Sequence, residues 1–286
     1  LAHRSCEDET KGKIEDTFSI RRFVNVISMV AKLGKAAVLR IMEDGLALIV
    51  NENNVLGQGY LWCEMNKVGM FSEYNMEGVS PENNEIFLEF SAEKVSRTLN
   101  SLKASQSAKF LKVKLTKKSS ACLTFEIELP SENILRRSVT HDVPVNVLSR
   151  RLWSSYDEPS LKDKHSGIYL PNVKLLKNIA EKMKNLSYYV TLLHDYSGKL
   201  VLNLETDVVS VSTHFNSLEI FHHNQHLENE GLIGVKVDVR KLSQFLSSLE
   251  ILNPSKIMCS ILEGKGLKLC VLGEDLDIHY YIPSVT

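Results

Sequence analysis

Cysteine is scarce in this chain of 286 residues, and it is badly placed for chemistry. Cys6, Cys63, Cys122, Cys259 and Cys270 are odd in number and widely spaced, with no C-x-x-C pair. That pattern offers neither a zinc site nor a disulfide framework, and it predicts buried thiols in a reducing compartment. No run of eighteen apolar residues occurs, so a transmembrane helix is not expected. Residues 1–10 are polar, lack the apolar core of a signal peptide, and stay unassigned. G-x-G-x-x-G, P-loop and G-x-S-x-G motifs are missing as well. Gly57-Gln-Gly59 and Gly264-Lys-Gly266 are too short to cradle phosphate and read as turns. A large charge of one sign is also absent, since 34 Lys and Arg face 35 Asp and Glu for a net of -1. Taken alone, that balance argues against a nucleic-acid partner.

What is present is strongly patterned. Ile86-Phe-Leu-Glu-Phe90, Leu111-Lys-Val-Lys-Leu115, Leu123-Thr-Phe-Glu-Ile127 and Leu200-Val-Leu-Asn-Leu204 alternate, or nearly so, as half-buried strands do. Val208-Val-Ser-Val-Ser212, Val235-Lys-Val-Asp-Val239 and Leu267-Lys-Leu-Cys-Val271 behave alike. Asp44-Gly45 and Ser197-Gly198 are hairpin signals, which imply antiparallel sheets. Four longer stretches, 17–34, 92–103, 172–186 and 239–250, repeat apolar residues at three- and four-residue spacing. Their stripes are Ile20, Phe23, Ile27 and Val30; Val95, Leu99 and Leu102; Val173, Leu176, Ile179 and Met183; and Leu242, Phe245 and Leu249.

The order of these elements recurs. Helix, strand, turn, strand in the first quarter returns in the third, and strand, helix, strand, strand over 85–128 returns over 234–283. The expected fold is α+β, with two similar domains over 11–129 and 147–286, each laying two helices on antiparallel sheet. A polar connector over 130–146 joins them, and polar loops are expected around 157–165 and 221–230.

Charge follows the same division. The four helices with their flanking cations hold thirteen basic and three acidic residues, leaving 21 basic and 32 acidic elsewhere. A near-neutral total therefore conceals basic helices on an acidic body. Arg21, Arg22, Asn25 and Lys32 fall opposite the first apolar stripe, Lys94, Arg97 and Ser101 opposite the second, and Lys174, Lys177 and Lys184 opposite the third. Rows of cations without acidic partners suit phosphate contact, which is salt-dependent and indifferent to base sequence. The fourth helix, with only Arg240 and Lys241, is the thinnest member.

Several stretches go beyond pattern. They are Met76-Glu-Gly-Val-Ser-Pro-Glu-Asn-Asn-Glu-Ile86, Val139-Thr-His-Asp-Val-Pro144, Arg151-Leu-Trp153, Glu181-Lys-Met-Lys-Asn185, Thr213-His-Phe215 and Asp238-Val-Arg-Lys-Leu242. On these the chain resembles the Hus (hydroxyurea-sensitivity) subunits of the nine-one-one DNA-damage checkpoint clamp, of PCNA-like DNA clamp fold, from about Lys11 to Pro283. The resemblance departs at the start, where the family opens with Met and a short basic-aromatic strand. Here the match begins at Lys11-Gly-Lys-Ile-Glu-Asp16.

The resemblance implies a heterotrimeric ring with two other Rad-family clamp subunits, closed around double-stranded DNA by an ATP-driven loader. It implies a nuclear protein, with the cytoplasm as a second compartment, that supports checkpoint signalling and recruits repair enzymes without enzymatic activity, cofactor, metal or membrane. The family's channel cations map onto Arg21, Arg22, Lys32, Lys94, Arg97, Lys103, Lys174, Lys177, Lys182, Lys184, Arg240 and Lys241. Partners of such clamps dock beside the connector.

Three other readings compete. A homotrimeric replication clamp has the same fold pattern, and a β-rich interaction domain would need no DNA. An enzyme would have to use His141-Asp142, but neighbours in an extended segment point to opposite faces. His222, His223 and His226 form a loop cluster without a fixed fourth ligand.

Overall fold

The computed structural model describes residues 10–51, 59–78, 80–104, 108–130, 137–159, 166–195, 197–222, 231–262 and 264–285. The chain divides into two compact units. One gathers residues up to Val50 with Cys63–Asp157 and Glu274–Leu276. The other gathers Asn51–Trp62, Glu158–Gly273 and Asp277–Thr286.

The first unit holds β1 (Lys11–Ile14), α1 (Thr17–Leu33), β2 (Ala36–Ile41), most of β3 (Gly45–Asn51), the second half of β4 (Tyr60–Asn66), a short α2 (Lys67–Met70) and β5 (Glu73–Asn75). It continues through β6 (Ile86–Ser91), α3 (Ala92–Ala104), β7 (Phe110–Lys117), β8 (Ala121–Leu129), β9 (Arg137–Pro144), β10 (Asn146–Val147) and a 3-10 turn over Arg150–Tyr156. One sheet has the order β5-β1-β7-β8-β9, and another runs β10-β6-β2-β3-β4. Much of the polar stretch expected as a connector is therefore strand: Arg137–Pro144 pairs antiparallel with β8 along its whole length. Residues 131–136 of that stretch lie outside the described residues.

The second unit comprises β11 (Ser166–Tyr169), α4 (Val173–Lys184), β12 (Tyr189–His194), β13 (Leu200–Glu205), β14 (Ser210–Phe215) and β15 (Ile220–His222). Then come β16 (Ile233–Asp238), α5 (Val239–Leu249), β17 (Met258–Leu262), β18 (Gly266–Val271) and β19 (Leu276–Pro283). Its strands order as β19-β18-β17-β11-β15 and β14-β13-β12-β16. The first unit's β6-β2-β3-β4 and β1-β7-β8-β9 recur as β16-β12-β13-β14 and β11-β17-β18-β19. The sequence repeat is thus a repeat of topology.

Local chemistry sets the helix limits. Asp16 caps α1 by accepting from the Ser19 N–H at 2.8 Å, Asn172 caps α4 at Lys174 (2.9 Å), and Asp238 caps α5 at Arg240 (2.8 Å). Gly34 ends α1 with its N–H on the Val30 carbonyl. Ile20, Phe23, Ile27 and Val30 are buried, as are Val95, Leu99, Leu176, Met183, Leu242, Phe245 and Leu249. The helices pack in pairs, α1 with α3 and α4 with α5. Buried Ser28 and Ser248 turn their hydroxyls back onto the carbonyls of Val24 and Phe245, so neither leaves a donor unpaired in the core.

One expected strand is displaced. The alternating run 208–212 does not begin a strand at Val208, which is 89% exposed. The Thr206 hydroxyl accepts from the Val209 N–H and donates to the Val209 carbonyl, closing a tight turn with Val208 at its tip. Pairing with β13 starts only at Ser210. The Ser197-Gly198 hairpin forms as expected, with Asp195 accepting from the Ser197 and Lys199 N–H groups and Gly198 at φ 83°.

Candidate nucleic-acid interface

In the first unit the apolar stripe of α1 is wide. Ten of its seventeen residues are buried, leaving a narrow outer strip with Phe18, Arg21 and Lys32 exposed. On α3, Glu93, Lys94, Arg97 and Asn100 are exposed while Ala92, Val95 and Leu99 are buried. The side chains of Ser101 and Lys103 lie outside the described residues. In the second unit α4 exposes Lys174, Leu175, Asn178, Lys182 and Lys184. At 100° per residue, Lys174, Asn178 and Lys182 fall on the side away from Leu176, Ala180 and Met183. On α5, Arg240 is exposed and Lys241 half-buried.

The expectation of cations without acidic partners needs correction at four of these positions. Arg22 lies 3.5 Å from Asp275, and Arg97 pairs with Glu93 one turn earlier on α3. Lys177 is turned toward α5, where it meets Glu250 at 2.8 Å, with Glu181 at 4.0 Å. Arg240 is held by its own cap residue, Nε on Asp238 Oδ1 at 3.0 Å and a terminal nitrogen on Oδ2 at 2.5 Å. Burial pushes the Asp238 carboxyl up, but the hydrogen bonds from Arg240 outweigh it and hold the group below its ordinary value. Such pairing spends part of each cation's field locally. Arg21, Lys94, Lys174, Lys182 and Lys184 are exposed and carry no ion pair among the described residues.

Two of these partnerships were legible. Glu93 stands four residues before Arg97, and Asp238 stands two before Arg240 at a helix start. Asp275 and Glu250 lie 253 and 73 positions from the cations they meet, and only the fold brings them there. Also unforeseen were Tyr188 and Tyr189, exposed beside Arg240 and Lys236.

His141 and Asp142 alternate across β9, and Asp142 is engaged by the Thr124 hydroxyl at 2.6 Å and by Lys118. The thiols of Cys63, Cys122, Cys259 and Cys270 are buried, and none of the four is in a disulfide. Burial pushes Cys259 up to about 12 and Cys270 up to about 11, which keeps both protonated and inert. His223 and His226, the His222 side chain, and Gly57 lie outside the described residues. No helix among the described residues is long and apolar enough to cross a membrane.

A paired-helix unit of this topology, occurring twice, can be compared with known proteins. A model of the Hus1-like protein family matches residues 10–286. The chain belongs to the Hus1-like family. The human checkpoint protein HUS1 is 39% identical to it over 283 residues, covering 96% of this chain and 99% of the human protein. Checkpoint protein hus1 of Schizosaccharomyces pombe is 24% identical over 293 residues, covering 96% and 98%. Among solved structures, proliferating cellular nuclear antigen from Entamoeba histolytica is similar with a TM-score of 0.72, covering 97% of this chain and 99% of that one. At 13% identity that likeness shows the clamp fold alone.

The Hus1-like stretches have visible structural work. Asp238-Val-Arg-Lys-Leu242 is the cap and first turn of α5, and Glu181-Lys-Met-Lys-Asn185 closes α4. Trp153 stacks on Phe87 at 4.7 Å and donates its ring N–H to the Leu148 carbonyl at 3.2 Å.

Proposed function

We propose that this chain is a non-enzymatic subunit of a heterotrimeric ring that encircles double-stranded DNA and serves the DNA-damage checkpoint. Two other Rad-family clamp chains complete the ring in the nucleus, an ATP-driven loader opens and closes it, and repair enzymes dock on it. One observation carries the DNA side of this reading. In each unit a helix pair buries its apolar stripe and turns exposed cations outward, Arg21 and Lys94 in the first and Lys174 and Lys182 in the second. Family membership over 10–286 and the checkpoint proteins among the relatives favour this ring over a homotrimeric replication clamp.

Sliding needs contacts that hold phosphates without reading bases, and flexible Lys and Arg on helices provide them. The test is the assembled ring with Lys174, Lys182 and Lys184 replaced together by Ala. The dependence of duplex affinity on salt should become shallower by about 0.9 per phosphate contact removed. An unchanged slope would reject the assignment of this face. Native mass measurement tests the assembly: a monomer that forms a ring only with two other clamp chains supports the proposal, and a stable homotrimer overturns it.

A further inference from the structure

The turn between α4 and β12 presents two exposed tyrosines beside Arg240 and Lys236. Tyr188 is 64% exposed and Tyr189 39% exposed, beside Leu186 at 48%. Their placement is fixed rather than loose. The Leu186 and Ser187 N–H groups both return to the Met183 carbonyl, the Tyr189 N–H donates to the Ser187 hydroxyl at 3.1 Å, and the Tyr188 carbonyl accepts from the Val239 N–H at 3.0 Å. Each ring has its own cation. The Arg240 guanidinium lies 4.8 Å from the centre of the Tyr188 ring, and the Lys236 ammonium lies 5.3 Å from that of Tyr189. The fork on Asp238 locks Arg240 in place, so Tyr188 is backed on one face and stands largely in water on the other.

A large ring left exposed, oriented and backed by a guanidinium is poorly explained as packing. It is suited to stacking against another flat π-system. Duplex DNA keeps its bases stacked on one another and shows the protein phosphates, for which cations alone suffice. An unpaired strand offers both a free base face and a phosphate, which matches aromatic platforms set among cations. Exposed Lys182 and Lys184 close α4 just before the turn, and Lys241 follows Arg240. We infer that Tyr188 and Tyr189, with Arg240 and Lys236, form a binding site for single-stranded DNA at the α4–β12 turn, holding unpaired bases by stacking. This rests on the reading of the chain as a DNA clamp subunit and adds a strand state to it.

The experiment uses the assembled ring, fluorescently labelled oligothymidylate, and a labelled duplex of equal length. Replacing Tyr188→Ala and Tyr189→Ala together should weaken oligothymidylate binding by about tenfold or more, the scale of lost base–aromatic stacking. Duplex binding should stay within about twofold, because the channel cations that carry its electrostatic term are intact. Tyr188→Phe with Tyr189→Phe should restore single-strand binding, since stacking needs the ring and not the hydroxyl. The inference is overturned if the Ala pair binds oligothymidylate like the unsubstituted ring, as it would if the tyrosines dock a protein instead. It is equally overturned if duplex and single-strand affinity fall together, or if the Phe pair behaves like the Ala pair. Failure of the clamp reading itself looks different: the unsubstituted ring then shows no salt-dependent duplex affinity.

Discussion

Two carboxylates show how one residue can decide what its neighbours do. Glu158 Oε1 accepts from the Tyr281 hydroxyl at 2.7 Å and meets His279 Nδ1 at 2.5 Å, with Lys268 at 4.0 Å. Burial raises the Glu158 carboxyl, but the bonds from His279 and Tyr281 and the charge of Lys268 bring it below its ordinary value. Burial and the same carboxylate push the Tyr281 hydroxyl up, so it stays a donor. A depressed carboxyl contributes stability above its unfolded value and loses it as pH falls through the folded one. Glu158→Gln should therefore cost about 1 kcal/mol at neutral pH, allowing for partial exposure. That difference should shrink as pH falls below the ordinary glutamate range, measured by urea unfolding. Glu250 pairs instead with Lys177, one of the candidate DNA-facing cations. Because it already compensates Lys177, Lys177→Ala should weaken duplex binding by the assembled ring less than Lys174→Ala does. Equal losses in a titration would show that the Glu250 pair opens when DNA arrives.

At the scale of elements, α1, α4 and α5 are capped by Asp16, Asn172 and Asp238 and anchored by large buried side chains. Phe245 on α5 is fully buried and stacks on Tyr280 of β19, centres 4.4 Å apart and planes 4° from parallel. Phe245→Ala should cost about 4 kcal/mol in urea unfolding, since both ring burial and the stack are lost. A cost below about 1 kcal/mol would mean that α5 repacks. Asp16→Ala removes the cap of α1 and should cost about 1 kcal/mol by the same measurement. The elements best foretold were those whose period is set by burial on one face. All four long helices fall within two residues of the expected limits, because a stripe at 3.6-residue spacing can face a sheet in only one way. Strand ends were less legible, as at Val208, where the Thr206 hydroxyl rather than any alternation decides where pairing starts.

For the whole molecule, the sequence by itself determined the repeated order of elements, the helix faces and the polarised charge hidden under a net of -1. Each is periodic or local, so physical spacing along the chain is enough to fix it. It also carried the stretches on which the chain resembles the family, three of which lie at α4, α5 and β9. Only the tertiary structure decided which cations keep their field. Asp275 reaches Arg22 and Glu250 reaches Lys177 across long separations, and nothing local to either cation announces those partners. It alone made a strand of Arg137–Pro144, since a polar edge strand owes its state to the neighbour it pairs with. It alone set Tyr188 and Tyr189 beside Arg240 and Lys236, about fifty residues along, by pairing β12 with β16. Contact between residues remote in sequence is the one quantity that neither periodicity nor composition encodes.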